Sequence, residues 1–427
     1  MPRSIKDTPW KRIRNLLRNI HLWAGLVSGL FVVVICFSGT AYVFNTELTE
    51  MAAPHLYKVM PATANRIPVE IVAPVIQEKA GGAVTAIFVP AEANRTYRFD
   101  IKKEGDKSRN GTSYFVNPYS GEITGTSLEE TGTKKFMSTM FSLHRWLLLD
   151  KIETPVFQGM TNRELGSKIT GWATILFTLG CVTGICIWFP NKVRHWRQGL
   201  KIKTNGNRKR LIHDLHNAPA FYALIFLLLM GITGPQWSFP WYREGMQKTL
   251  GTYEAKTPKG ETKKNTPPTA LTNSKTLPTE INLSSILRAA DTQLPYKGDY
   301  TIRFPEERGV PVVISKNKRG FFAPAAADKV LMNATSGQII KTDVFTDKPF
   351  NERVAGSIKA IHTGSVYGIF TKLLYFIACL IATTLPLTGT LIWLNKLKKK
   401  KKKIKVTFAV RDQKITVTNL EDKLIAD

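Results

Sequence analysis

Cysteine is nearly absent from this sequence: Cys36, Cys181, Cys186 and Cys379 are the only 4 in 427 residues. All four fall in apolar stretches, where they serve as small packing residues. No two are spaced Cys-x-x-Cys, and no Cys-x-x-Cys-His occurs. A disulfide-stapled domain, a cysteine-based zinc or iron–sulfur site and covalently attached haem are thereby excluded. No Gly-x-Gly-x-x-Gly follows a strand pattern, which excludes a built-in flavin or nicotinamide domain. Acidic residues are also few, 32 Asp and Glu against 60 Lys and Arg, giving a net charge of +28. Histidine is rarer than any of these classes except cysteine, at 7 residues.

The chain does have four long runs almost free of charge: Leu22–Phe44, Ile169–Pro190, Ala218–Pro240 and Leu373–Leu394. At 1.5 Å per helical residue, each is long enough to cross a hydrocarbon core about 30 Å thick. The excess positive charge flanks these runs on one side only. Lys11, Arg12, Arg14 and Arg18 precede the first run, and Lys192, Arg194, Arg197, Lys201, Lys203, Arg208, Lys209 and Arg210 join the second to the third. Lys396 and Lys398 through Lys403 follow the fourth. This is the positive-inside pattern, so the basic ends are expected in the cytoplasm against anionic lipid, and no nucleic-acid partner is implied. The first run is too long for a signal peptide and lacks a small-residue cleavage site, so it is expected to be retained.

The expected layout follows. A cytoplasmic N-terminus (1–20) leads into a first span (21–44), then an outside unit (45–167) that ends in an interfacial helix carrying His144. A second span (168–190), a basic cytoplasmic loop (191–212) and a third span (213–236) come next. A second outside unit (237–366), a fourth span (367–395) and a basic cytoplasmic tail (396–427) complete it. Thr96–Ile101 alternates like a half-buried strand. Ile71–Lys79 and Leu283–Ala290 read as short amphipathic helices, so each outside segment is expected to be a small α+β unit. Residues 255–280, rich in Lys, Thr and Pro, read as a flexible stretch. Residues 404–427 alternate like a small hairpin.

The two halves of the chain match. His21 opens the first run and His216 the third, and each is followed 18 residues on by a glycine, Gly39 and Gly234. Thr183-Gly184-Ile185-Cys186-Ile187-Trp188 and Thr388-Gly389-Thr390-Leu391-Ile392-Trp393 both read Thr-Gly-x-x-Ile-Trp. Asn117 and Asn333 each open an Asn-x-x-Ser-Gly-x-Ile turn. The fold class is thus a membrane protein, a four-transmembrane-helix bundle from a tandem parallel duplication, with two outside α+β units.

Four histidines fall at repeat-related places: His21 and His216 at the cytoplasmic starts of spans, His144 and His362 on the outside before the other two spans. Polar groups at such depths are costly and usually functional. Two imidazoles facing one another across a bundle suit axial ligation of a non-covalent haem b, and two such pairs hold two haems. Copper or zinc needs more ligands than two per site. His213, one turn before His216, is the alternative ligand; His55 and His195 have no repeat partner.

His213-Asp214-Leu215-His216, Leu143-His144-Arg145-Trp146, Ile361-His362-Thr363-Gly364, the Thr-Gly-x-x-Ile-Trp ends and the Asn-x-x-Ser-Gly turns together resemble the PepSY-associated transmembrane family. The resemblance covers roughly residues 10–397. Ala220 stands where the first half has Gly25, a departure that affects packing beside His216. The resemblance includes iron-regulated inner-membrane proteins and FoxB-like ferric-siderophore reductases. It implies a bacterial inner-membrane protein with periplasmic PepSY-like units and haem ligation by His21, His144, His216 and His362. It further implies reduction of a ferric-siderophore substrate, releasing Fe(II), by an external donor that is either a membrane quinol or a cytoplasmic reductase. Arg18, Arg145 and Lys359 suit haem propionates or interfacial anchoring equally. Trp146, Trp237, Trp241, Tyr242 and Arg243 suit a substrate lining or an aromatic interface belt. Two other functions fit the same sequence: a haem conduit to another periplasmic oxidoreductase, and a non-enzymatic membrane protein that regulates peptidases.

Overall fold

The computed structural model describes residues 9–106, 108, 111–190, 196–254, 283–305, 310–320, 323–333 and 337–424, with side chains as far as Lys399. The stretch 255–280 and His195 lie outside the described residues. In chain order the elements are α1 (Pro9–Tyr42), α2 (Asn45–Ala52), α3 (Pro54–Tyr57), α4 (Val69–Ala80) and strands β1 (Ala83–Val89), β2 (Tyr97–Lys102), β3 (Thr112–Val116) and β4 (Ile123–Thr126). Then come α5 (Gly132–Trp146), α6 (Asn162–Trp188), α7 (Trp196–Gly199), α8 (Arg208–Thr233) and α9 (Pro240–Thr249). The last are α10 (Leu283–Gln293), strands β5 (Gly298–Arg303), β6 (Val312–Lys318), β7 (Asp328–Met332) and β8 (Ile339–Asp343), and α11 (Phe350–Thr363) and α12 (Gly368–Leu424). The chain divides into two compact units: Met1–Thr40 with Ser142–Ser238 and Phe376–Asp427, and Ala41–Phe141 with Phe239–Tyr375.

The first unit is built on α1, α6, α8 and α12, which are long and apolar enough to cross a membrane. Threonine is frequent in these helices, and its hydroxyls pair within their own helix: Thr174 donates to the Thr170 carbonyl at 2.7 Å and Thr233 to the Leu229 carbonyl at 2.6 Å. In hydrocarbon this internal pairing avoids the cost of an orphan hydroxyl. Asn207 and Thr161 accept from backbone N–H groups one turn on and start α8 and α6. A Cβ at Gly231 would lie 2.4 Å from Thr178 Oγ1, so only glycine lets α8 lie this close to α6. Ala223, Leu227, Ala378 and Ala382 form the bundle's buried centre, with Cys36 and Cys181 packed against it.

The helices overrun the apolar runs read from the sequence. α1 starts at Pro9 and α6 at Asn162, because the flanking Lys, Arg and Glu are good helix formers. The same holds at the other end. α12 continues to Leu424, so the tail is not a hairpin. Its alternation of Val, Thr and Phe carries no breaker: no Gly or Pro follows Gly389, and nothing stops helix propagation through the lysine run.

In the second unit both segments have the expected α+β make-up, α4 with β1–β4 and α10 with β5–β8, and the two are joined in one eight-stranded sheet, ordered β4-β3-β2-β1-β5-β6-β7-β8, antiparallel throughout. The two halves meet at β1 and β5, where Ile87 pairs with Ile302 and Phe88 with Thr301. Apart, each half would expose an unpaired strand edge; joined, both edges are satisfied. Val72, Ala73 and Ile76 of α4 and Leu283, Ile286 and Ala290 of α10 bury one face of the sheet in a single shared core. The matching turns take the same form. Gly121 N–H donates to the Asn117 carbonyl and Gly337 N–H to the Asn333 carbonyl, with φ of 72° and 66° at the two glycines.

One polar cluster sits inside this unit. Lys316 is 1% exposed. Its Nζ lies 2.6 Å from Asp291 Oδ1 and 2.7 Å from the Leu294 carbonyl, between the rings of Tyr296 and Tyr300. Tyr300 donates to Asp291, and Tyr296 donates to Asp328 at 2.6 Å. Burial, then the neighbouring carboxylates, raise both phenols well above their ordinary range.

Candidate functional site

His21 lies on α1 and His216 on α8, and the structure brings their rings together. Ring centroids are 6.2 Å apart with an angle of 83° between the planes. Each ring is held through Nδ1 by the helix that follows it in its own half. His21 Nδ1 lies 3.0 Å from the Gly180 carbonyl and 3.2 Å from Thr183 Oγ1 on α6. His216 Nδ1 lies 3.0 Å from Thr388 Oγ1 on α12. Among the described residues neither ring hydrogen-bonds through Nε2, so Nε2 is the nitrogen each offers to a ligand.

These contacts explain the Thr-Gly-x-x-Ile-Trp segments, which sequence reasoning recognised only as a repeat. Thr183 and Thr388 supply the oxygens that orient the rings. Gly184 and Gly389 supply the space: a Cβ at either would lie 3.3 Å from Cε1 of the histidine it faces. The signal was present in the sequence as a repeated Thr-Gly, but its role depends on how the helices are rotated toward one another.

His144, near the end of α5, repeats the arrangement. Its Nδ1 lies 2.8 Å from the Ile35 carbonyl on α1, and a Cβ at Gly39 would lie 3.1 Å from its Cε1 and Nδ1. Desolvation pushes this imidazole below its ordinary value, Arg145 adds to the effect, and the Ile35 carbonyl opposes it. The neutral form, the one that binds metals, is favoured. His362 ends α11, where Gly364 closes the helix with φ 72° and its N–H donates to the Ala360 carbonyl. His144 and His362 belong to different compact units.

His213, the alternative ligand, does not meet His21. Its side chain is 51% exposed, its Nδ1 lies 3.5 Å from Asp214 Oδ1, and Asn217 Nδ2 lies 3.2 Å from its ring nitrogens. His55 is a surface residue paired with Glu129 at 2.8 Å. Of the residues expected to meet propionates, Arg18 is exposed and touches Asn15, Arg145 donates to the Trp237 carbonyl at 3.3 Å, and Lys359 is exposed on α11. Of the expected lining residues, Trp146 is buried beneath the Arg163 guanidinium at 4.0 Å. Trp237 is exposed; Trp241 is exposed and stacks on Phe239, with Tyr242 against its edge and Arg243 exposed beside them.

The His21–His216 geometry can be tested against a metal held between two imidazoles. An imidazole nitrogen binds a first-row transition metal at about 2 Å, and the ring centre lies about 1 Å beyond, so two opposed histidines place their ring centres about 6 Å apart. The observed 6.2 Å agrees. The Nδ1 contacts to a carbonyl and hydroxyls are those that metal-bound histidines make with their second nitrogen. Among the described residues no three His, Cys, Asp or Glu side chains converge to hold an ion, so a multidentate zinc-type site finds no support there. The spacing of the pair fits two imidazoles on one metal ion, whose other ligands would come from a bound group.

No curated protein matches the chain. The family described as "PepSY-associated TM region" matches residues 18–396, a stretch that takes in all four histidines, both Thr-Gly-x-x-Ile-Trp segments and the whole eight-stranded sheet. The chain is a member of the PepSY-associated TM region family.

Proposed function

We propose that this chain is a haem b reductase of the bacterial inner membrane, with both termini cytoplasmic and the sheet unit in the periplasm. The one-sided basic clusters support that orientation. The shared order of elements in the two halves, helix, sheet unit, helix, is read as a tandem duplication.

The observation that carries the reading is the His21–His216 pair, whose rings are spaced and held through Nδ1 as two imidazoles sharing one iron would be. Haem bound there supplies one-electron redox chemistry. The chain's own part is to hold it. Thr183, Thr388 and the Gly180 carbonyl hold each imidazole through Nδ1, which would leave Nε2 for the iron. The apolar bundle, with Ala223, Leu227, Ala378 and Ala382 at its centre, excludes water. His144, pinned through Nδ1 by the Ile35 carbonyl, is assigned to a second haem, with Arg18 and Arg145 of the same unit assigned to propionates; His362 and Lys359 lie in the other compact unit. The acceptor is assigned as a ferric siderophore, whose hard oxygen ligands hold Fe(II) weakly, so reduction releases iron.

The test is a visible spectrum of the purified protein. Sharp α and β bands on dithionite reduction, with two haems per chain falling to one in His21→Ala, are expected. A colourless, folded preparation would refute the haem assignment and leave a membrane protein of the peptidase-regulating kind. Adding a ferric siderophore to the reduced protein then separates a siderophore reductase from a conduit to another oxidoreductase: only the former is reoxidised.

A further inference from the structure

The matching halves differ beside His21 and His216. At the positions three and two before, and one after, the first half has Arg18, Asn19 and Leu22, whereas the second has His213, Asp214 and Asn217. The ligand is repeated but its polar neighbours are not. Those neighbours line a cleft of about 210 Å³, with Trp188, Trp196 and Arg210 completing the wall.

The cleft is partly pre-formed. Trp188 stacks on Phe221 at 4.2 Å and 23°, and its indole nitrogen faces the Gly199 carbonyl at 3.4 Å. Asp214 is buried and occupied: it accepts from the Lys203 N–H at 3.2 Å and from Arg210 Nε at 2.9 Å, tying the loop before α8 to the helix. His213 and Asn217 remain as the hydrogen-bonding pair on the cleft wall. His213 precedes His216 by about 4.5 Å along the helix axis. A cavity of about 150 Å³ holds a benzene ring, so this one has room for one substituted ring and not for a flavin. Leu215 and Tyr222 on the same helix are 38% and 62% exposed, presenting an apolar approach from the bilayer.

We infer that this cleft is the electron-entry site and that it takes the ring of a membrane quinol. The inference rests on the proposed haem reading. Oxidation of the quinol to quinone breaks two O–H bonds and releases two electrons and two protons. The two electrons would pass one at a time to the ferric haem that His21 and His216 would hold, the first moving on to the acceptor before the second arrives. His213 takes one proton and passes it to the adjoining water, and the second proton leaves by the same exposed ring. Asn217 donates to the quinol oxygen, and the indoles give the ring its aromatic walls.

The experiment uses the full-length protein in lipid nanodiscs and decylubiquinol as the probe. Two readouts are taken: quenching of tryptophan fluorescence by decylubiquinone, and the rate at which decylubiquinol reduces the haem. Quenching is expected to saturate in the wild type, and His213→Gln is expected to slow quinol reduction at least tenfold, with haem content and the dithionite-reduced spectrum unchanged. Asn217→Leu, a second and independent variant, is expected to weaken quenching at least fivefold. If both variants are reduced by the quinol as fast as wild type, the inference falls while the haem assignment stands. If the haem is reduced only by a cytoplasmic flavoprotein and never by quinol, the inference also falls. If the preparation is colourless yet quenching saturates and is lost in Asn217→Leu, the cleft binds quinone and it is the haem reading that fails.

Discussion

Gly184→Ala is the sharpest perturbation of the ring clamp, because two effects of opposite sign separate. A Cβ placed there lies 3.3 Å from Cε1 of His21. Carbon atoms settle about 3.5–4.0 Å apart, so the ring must retreat by at least about 0.2 Å. It has little room to do so, since Nδ1 is held by the Gly180 carbonyl at 3.0 Å and by Thr183 Oγ1 at 3.2 Å. Metal–ligand distances hold to about 0.2 Å, so the shift uses up the tolerance of the iron bond. A roughly tenfold loss of haem affinity follows, about 1.4 kcal/mol. Alanine is meanwhile the better helix former by about 0.8–1 kcal/mol, so the haem-free protein melts higher. Gly180→Ala is the control: nothing lies within 4 Å of its Cβ, so it shows the helix gain alone. Gly184→Val drives branched methyls at the ring and is expected to lose this haem altogether. The assay is haem per chain together with the rate of haem transfer to apomyoglobin. A Gly184→Val protein with full haem content and a wild-type transfer rate would refute the clamp.

The other tests draw on different contacts. Thr388→Val removes the hydroxyl that lies 3.0 Å from His216 Nδ1 and, for a haem held there as proposed, is expected to weaken its retention 10- to 100-fold, as loss of a ligand's hydrogen-bond partner usually does. Thr183→Val is expected to act alike, since a carbonyl three residues before each threonine, Gly180 for His21 and Leu385 for His216, stays beside the ring; unchanged retention in both variants would contradict the clamp. In the sheet unit, Ile302→Ala removes a fully buried side chain at the β1–β5 seam, and a loss of about 2–5 kcal/mol in denaturant unfolding is expected. Lys316→Ala empties a fully buried position and is expected to cost about 2–5 kcal/mol, mostly from the cavity because Asp291 itself is exposed, with Lys316→Met costing less because it fills the space. Glu129 is held below its ordinary value, chiefly by the hydrogen bond from His55. A depressed carboxyl gives stability present above its unfolded value, about pH 4.5, and lost as pH falls through the folded one. His55→Ala should flatten the melting temperature against pH in that window, and an unchanged slope would deny the pair any role.

The spans and the meeting of His21 with His216 were legible because their signals are local: a charge-free run of the right length and a rare residue recurring at a fixed interval. The clamp was not. Thr183 and Gly184 are visible as a repeated pair, but whether they face His21 depends on the relative rotation of α1 and α6, which hydropathy leaves undetermined. His213 and His216 share one helical face closely enough that only the position of α1 decides between them, and the structure gives His216 to His21. The joining of β1 to β5 was hidden for another reason. The strands are more than 200 residues apart, and alternation reports which face is buried, never which strand lies alongside. In the tail, alternation itself misled, because a period of two read over few residues is outweighed by a stretch with no helix stop.

The contacts around the histidines divide by half, and the division has a consequence. His21 is clamped by α6 and His144 by α1, both within the first half; His216 is clamped by α12, within the second. These three rings are therefore oriented by protein contacts within their own halves. A metal held between His21 and His216, as proposed, would join one half to the other, since they are supplied by α1 and α8. Ligand binding then adds to the stability of the assembled bundle by mass action, while the local clamps lose nothing in its absence. Removing haem is expected to loosen the α1–α8 contact while α6–α8 packing through Gly231 and Thr178 persists. Hydrogen exchange on haem-free and haem-loaded protein separates the two: protection gained along α1 and α8 beside the histidines, with none gained at Gly231, fits a metal that fastens two preformed halves. Protection gained evenly over all four helices would mean that the bundle itself forms only around the metal.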